Sequence, residues 1–143
     1  MFKNRAIEKV YWALVKGHPY RSGTIEFPIG RDQKQRNRMA HLPPGKSRYA
    51  TTQYQVLAYY KDYSLVEVRL ITGRTHQIRV HFAAIRHPVL GDKLYGESSK
   101  LIDRQALHAK KLAFDHEGKH YSYDYPVPED MQKLIDMPVI TSL

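Results

Sequence analysis

Two arginines, two histidines and a glutamine crowd one short stretch, Thr72-Gly73-Arg74-Thr75-His76-Gln77-Ile78-Arg79-Val80-His81. Guanidinium groups grip anions well, because their forked N–H donors match a carboxylate or phosphate in shape as well as charge. The elements that must position them are readable from period. Ser64 to Ile71 alternates, with Val66, Val68 and Leu70 on one face and Leu65, Glu67, Arg69 and Ile71 on the other, as in a strand. Gly73 breaks that strand and Thr75 is placed to cap a helix. Ile78, Phe82 and Ile85 then recur at i, i+4 and i+7, predicting a principal helix over residues 75–86. Pro88 ends it, since proline disfavours helix in the residue before it. A helix start aims backbone N–H groups outward and favours negative charge, so a phosphate or carboxylate fits between Arg74 and Arg79. On spacing alone, a solvated basic turn accounts for these residues equally well.

Metal chemistry is a poor fit. His76 and His81 are five residues apart, which sets them about 140° apart around a helix. The chain has no HExxH and no Cys, so neither a zinc helix nor a thiolate site is predicted.

The totals narrow the partner. At 143 residues the chain suits a single domain, 1–143. A net charge of +9 and a pI near 9.7 favour a polyanion, nucleic acid before an anionic membrane. No apolar run reaches the ~20 residues that span a bilayer, and Met1 to Arg5 lacks an apolar leader. These features are those expected of a cytoplasmic protein. Eleven tyrosines suggest β-structure, stacking surfaces, or both.

Along the chain, Ile7–Lys16 reads as a strand ended by Gly17-His18-Pro19, and Ser22–Phe27 as another. Read alone, Tyr11 is a strand aromatic facing the core. From Arg31 to Arg48 six basic residues (Arg31, Lys34, Arg36, Arg38, Lys46 and Arg48) stand against Asp32, with Pro43-Pro44-Gly45 and little periodicity. This reads as a long, mobile basic loop, suited either to solvating a face or to phosphate contacts that give affinity without reading sequence. Ala50–Lys61 and Ser64–Ile71 should pair as a hairpin, as should Ala106–Phe114 and Lys119–Tyr125 across His116-Glu117-Gly118. Pro128-Glu129-Asp130 opens a short helix reaching Ile135. The fold class is α+β: a mainly antiparallel mixed β-sheet with one principal helix and a short C-terminal one.

The stretch from Leu70 to His81 also resembles the signature of RNA pseudouridine synthases of the RluA family. His87-Pro88-Val89-Leu90-Gly91-Asp92, Leu94-Tyr95-Gly96 and Leu107-His108-Ala109, with Leu112 and Phe114, continue that pattern, and the resemblance runs from about Arg5 to about Asp130. Lys9 to Gly17 is similar to the family's second motif. The resemblance implies isomerisation of uridine to pseudouridine in ribosomal or transfer RNA. No metal or organic cofactor is needed, and the target base is flipped out of its stack to be reached. It further implies that Tyr11 lies against that base, that Arg79 pairs with the catalytic aspartate, that Ile78 walls the pocket and that Arg74 grips a phosphate. His76 and Gln77 are expected to bond the turn, and His81 to sit in packing or at the surface. Two positions depart from the family: Arg86, where Gly is frequent before His-Pro, and Glu117, where Pro is frequent.

The family's nucleophile is an aspartate in a His-Arg-Leu-Asp motif upstream of the Tyr11 strand. None of the eight Asp residues here stands in that context, and Asp92 is expected only to shape its turn. The chain therefore reads as the C-terminal part of a synthase catalytic domain, its further partner being the missing N-terminal part. Arg79 is expected to lack an acidic partner toward the cleft, staying solvated or borrowing a nearby acid or anion. The alternative reading is a non-catalytic, basic RNA-binding module. A protein-interaction domain leaves the Arg74–Arg79 cluster unexplained.

Overall fold

In the computed structural model, which describes residues 7–32, 34, 39–41 (backbone alone at 41) and 47–140, the first strand forms as β1 (Glu8–Lys16) and takes an interior place. Around it run β2 (Ser22–Glu26), β5 (Thr51–Tyr59), β6 (Tyr63–Leu70), β7 (Leu107–His116) and β8 (Lys119–Asp124). Their order across the six-stranded sheet is β2-β5-β6-β1-β7-β8, with every neighbouring pair antiparallel. The alternation of Val66 and Val68, both fully buried, is what commits β6 to the core. The predicted hairpins all form, shifted by a residue or two at their ends.

The interior strand is irregular at one place. Val10 opposes Lys111, but Tyr11 opposes Ala109, leaving Lys110 as an extra residue on β7. Such a bulge locally raises twist and re-aims side chains. Here it falls beside Tyr11.

Helix α1 (Gln77–Ala84) lies against the sheet through Ile78 and Phe82, the latter edge-on to Tyr54 at 5.4 Å between ring centres. Its apolar stripe is the one read from sequence, but burial goes further round. Val80 packs into a second small cluster with Ile29 and Ala50, against which Met39 and Tyr95 lean. The helix starts later than expected. Thr75 is not its cap; His76 is, in a left-handed conformation (φ 57°) and without a side-chain cap bond. Helix α2 (Glu129–Ile135) ends under two tyrosine hydroxyls, which donate to last-turn carbonyls: Tyr63 to Leu134 at 2.7 Å and Tyr60 to Ile135 at 2.8 Å.

The basic stretch is not simply a loop. It begins in β3 (Ile29–Arg31), which pairs with β4 (Met39–His41), and Ile29 and Arg48 exchange backbone hydrogen bonds of 2.9 Å. Three-residue strands carry too little alternation to be read from sequence. Tertiary contacts hold them instead, among them a hydrogen bond of 2.8 Å from the Met39 N–H to the Tyr95 hydroxyl. Arg36, Arg38 and Lys46 lie outside the described residues.

Both departures from the family pattern sit at positive φ. Glu117 (φ 49°) precedes Gly118 (φ 77°) in the β7–β8 turn, a conformation closed to proline, whose ring locks φ near −65°. Arg86 (φ 68°) follows α1 in a Schellman arrangement: its N–H donates to Ala83 O, and the His87 N–H donates to Phe82 O. A left-handed residue with a Cβ costs about 1–2 kcal/mol, partly offset by the extra chain entropy glycine loses on folding. Arg86→Gly should therefore stabilise the protein by about 0.5–1 kcal/mol, raising Tm by about 2–4 °C. An unchanged or lower Tm in a calorimetric scan would contradict the assignment.

Candidate active site

The junction between β6 and α1 is held by one side chain. Gln77, 2% exposed, uses its whole amide. Its Oε1 accepts from the Arg74 N–H (2.9 Å) and the Thr72 hydroxyl (2.6 Å), and its Nε2 donates to Thr51 O (2.9 Å) and Thr52 Oγ1 (2.8 Å). The turn is thereby tied to β5. His81 behaves likewise and belongs to packing, with Nε2 donating to Phe27 O and Nδ1 facing Thr52 Oγ1, each at 2.8 Å.

Fixing that turn brings separate elements to one cleft. A hollow of about 340 Å³ is lined by Tyr11 from β1, Leu70 from β6, Arg74, His76, Gln77, Ile78 and Arg79 around the helix start, and Gln105 and Leu107 at the entry to β7. Tyr11 and Arg79, 68 positions apart in the chain, thus open onto the same space, with Ile78 as an apolar wall and Arg74 at its margin. The Arg74 Nε–H donates to Tyr49 O at 2.8 Å, which ties the turn to the end of the basic stretch. Of that stretch, Arg31, Lys34 and Arg48 are exposed. An adjoining hollow of about 440 Å³ shares Tyr11 and adds Lys9, Ala109, Lys111, Leu112 and Tyr125. A larger one, about 510 Å³, lies among His18, Tyr20, Gly23, Tyr54 and His87 and includes none of the predicted site residues. Size is a weaker guide than convergent polar groups, and the smaller cleft has them.

Arg79 borrows a nearby acid, one of the outcomes expected of it. Its guanidinium holds Asp92 in a bidentate pair: Nε donates to Oδ2 at 2.8 Å and Nη2 to Oδ1 at 3.0 Å. The two side chains are 12% and 0% exposed. Asp92 also shapes its turn, as expected, accepting from the Leu94 and Tyr95 N–H groups at 3.1 and 3.2 Å. The pairing was invisible in the sequence because nothing local links a helix residue to a turn 13 positions on. The turn itself has little freedom. Leu90 N–H donates to Leu14 O and Ala106 N–H to Leu90 O, so the segment is laid against β1. A Cβ on Gly91 (φ 74°) would come within 2.1 Å of Arg104 O, so only glycine fits there.

Two aromatic groups complete the setting. The Arg79 guanidinium carbon lies 5.0 Å from the centre of the Tyr95 ring. The Tyr95 hydroxyl meets His76 Nδ1 at 2.7 Å. Burial, then the nearby Arg79 charge, push the His76 imidazole below its ordinary pKa, with Asp92 opposing and Arg31 adding to the effect. For Asp92, burial alone would raise the carboxyl. The Arg79 hydrogen bond, the Tyr95 and Leu94 N–H groups and the Arg79 charge together outweigh it and hold the acid below the usual carboxylate range. The same hydrogen bond from Asp92 pushes the guanidinium higher still, against its own desolvation.

Comparison with known proteins places the chain in a family. A family model described as RNA pseudouridylate synthase matches residues 1–84. A ribosomal large subunit pseudouridine synthase D of Zymomonas mobilis is 40% identical over 152 residues, covering 99% of this chain and 48% of that protein. The uncharacterized RNA pseudouridine synthase YlyB of Bacillus subtilis is 44% identical over 137 residues, covering 93% of this chain and 45% of its own length. Among solved structures, human RNA pseudouridylate synthase domain containing 1 superimposes with a TM-score of 0.75 at 32% identity, covering 85% of this chain and 55% of that one. The chain belongs to the RNA pseudouridylate synthase family. It spans about half the length of the curated relatives it matches.

Removing one partner of a buried ion pair strands the other, at a cost of about 3–5 kcal/mol. Asp92→Asn should lose about that much stability at pH 7 in denaturant unfolding. The folded carboxyl titrates below its unfolded value of about 3.9, so its contribution is complete above that pH and is lost as pH falls through the folded value. The gap between wild type and variant should accordingly narrow in acid. A gap that stays constant from neutral pH to below pH 3 would show that the carboxylate's charge is not its source.

Proposed function

We propose that the chain forms the uridine-receiving half of an RNA pseudouridine synthase active site, with the nucleophilic aspartate supplied from outside these 143 residues. The observation that carries this reading is the meeting of Tyr11 and Arg79 in one cleft, from elements distant in sequence. The reaction breaks the bond between uracil and ribose, turns the base and rejoins it through carbon. In the proposed arrangement the flipped uracil rests against the Tyr11 ring with Ile78 beside it. Arg79 holds the attacking carboxylate ionised and in place. Arg74, with Arg31, Lys34, Arg36, Arg38, Lys46 and Arg48, contacts the RNA backbone, ribosomal or transfer.

No Asp lines the cleft among the described residues. Asp92 is fully buried with both oxygens engaged, which supports a nucleophile from elsewhere. That observation also favours a second reading for the chain by itself, in which it binds RNA without turnover.

Tritium release from RNA carrying 5-³H-uridine separates these readings. The 143-residue chain alone should release none. Joining an upstream segment that carries His-Arg-Leu-Asp should restore release, and Arg79→Ala in that assembled synthase should remove at least ~100-fold of the rate, the scale expected when a reacting group is misplaced. Robust release by the short chain would mean that one of its own Asp residues attacks.

A further inference from the structure

We infer that Arg79 is a two-edged clamp: Asp92 is a positioning residue that fixes one edge of the guanidinium, and the opposite edge is reserved for the reaction's carboxylate. The inference rests on the isomerase reading above and adds to it a residue, Asp92, that never touches substrate.

A guanidinium has five N–H donors in a rigid plane. Asp92 takes two of them, on the edge formed by Nε and Nη2. The end edge, formed by Nη1 and the second hydrogen of Nη2, makes no hydrogen bond within the described residues, and Arg79 lines the cleft. A planar fork has room for one carboxylate on each of these edges. The Tyr95 ring against the guanidinium restricts its tilt. Asp92 cannot drift, because two backbone N–H groups hold it and its loop is bonded to Leu14 of β1, the strand that carries Tyr11. One strand therefore sets both the Tyr11 surface and, through Asp92, the position of the Arg79 fork.

The clamp has an electrostatic consequence. With Asp92 in place the incoming carboxylate meets a charge-balanced pair, not a bare cation. Among the described residues, the other titratable groups facing Arg79 are Tyr11 from β1, Arg74 and His76 at the helix start, and Tyr95 from the Asp92 loop, with Arg31 of β3 beyond His76. None of these replaces the negative charge of Asp92. Without it, the attacking carboxylate should titrate lower.

The test uses the assembled synthase and its Asp92→Asn form. The substitution should cut kcat by ~10- to 100-fold, leave KM within about threefold, and move the acid limb of the kcat–pH profile to lower pH. A purely structural role would not move that limb. An unchanged kcat and limb, or a rise confined to KM, would overturn the inference while leaving the isomerase reading intact. Should Asp92→Asn not fold, nitrogen-15 NMR of the arginine side chains in the wild-type 143-residue chain decides, with sodium acetate titrated against chloride at constant ionic strength. Acetate should shift the Arg79 Nη signals and leave the Nε–H signal in place. Displacement of the Nε–H signal, or no Nη response, would contradict the clamp. Absence of pseudouridine formation by the assembled wild-type synthase would instead count against the isomerase reading, and the acetate titration would still read the clamp.

Discussion

A guanidinium buried to 12% exposure has to be neutralised where it sits, and much of the site follows from how Arg79 meets that requirement. Desolvating an ion pair is expensive, and the loss is offset only when geometry is good and the remaining donors and acceptors are satisfied. Asp92 meets both conditions through a bidentate contact and two backbone N–H groups. To deliver that carboxylate, the loop must turn sharply at Gly91, where no Cβ fits, and lie along β1. The ion pair, the glycine and the strand are one arrangement, and none of the three is explained without the others.

The second constraint is the Gln77 amide. It converts a strand-to-helix junction, which could take many paths, into one path bonded to β5 on one side and closed on itself through Arg74 and Thr72 on the other. His76 is left in a left-handed conformation as a consequence. Strain of this kind persists where surrounding bonds over-determine it, commonly at functional sites. Its ring is also bonded to Tyr95, whose hydroxyl accepts from β4, so the basic hairpin, the helix start and the Asp92 loop meet at one phenol.

Legibility in the sequence followed the length and regularity of each element. β1, β5, β6, β7 and β8 were readable because eight or so residues of alternation, or a turn with obvious breakers, leave few alternatives for the chain. α1 was readable from Ile78, Phe82 and Ile85, but its start was not: Thr75 has the right chemistry for a cap, and the Gln77 bonds pull the helix start past it. β3 and β4 were hidden because three residues have no period. Arg74 and Arg79 stood out by residue type and spacing, whereas Tyr11 and Ile78 were singled out through family motifs. Local pattern alone would have left Tyr11 in the core. Asp92 was read as a turn residue and nothing more, since its partner is set by tertiary packing. Arg86 and Glu117 show the reverse case. Both were visible as departures from a pattern, and the positive φ at each shows why residue type matters there.

The most direct test of the account is the structure of the assembled synthase bound to RNA containing its target uridine. The flipped uracil is expected against Tyr11 and Ile78, with Arg79 between two carboxylates, Asp92 on the Nε edge and the attacking aspartate on the Nη1 edge. A uracil seated in the hollow near His18 and Tyr54 with Tyr11 untouched, or an attacking aspartate that displaces Asp92 from Arg79, would contradict it.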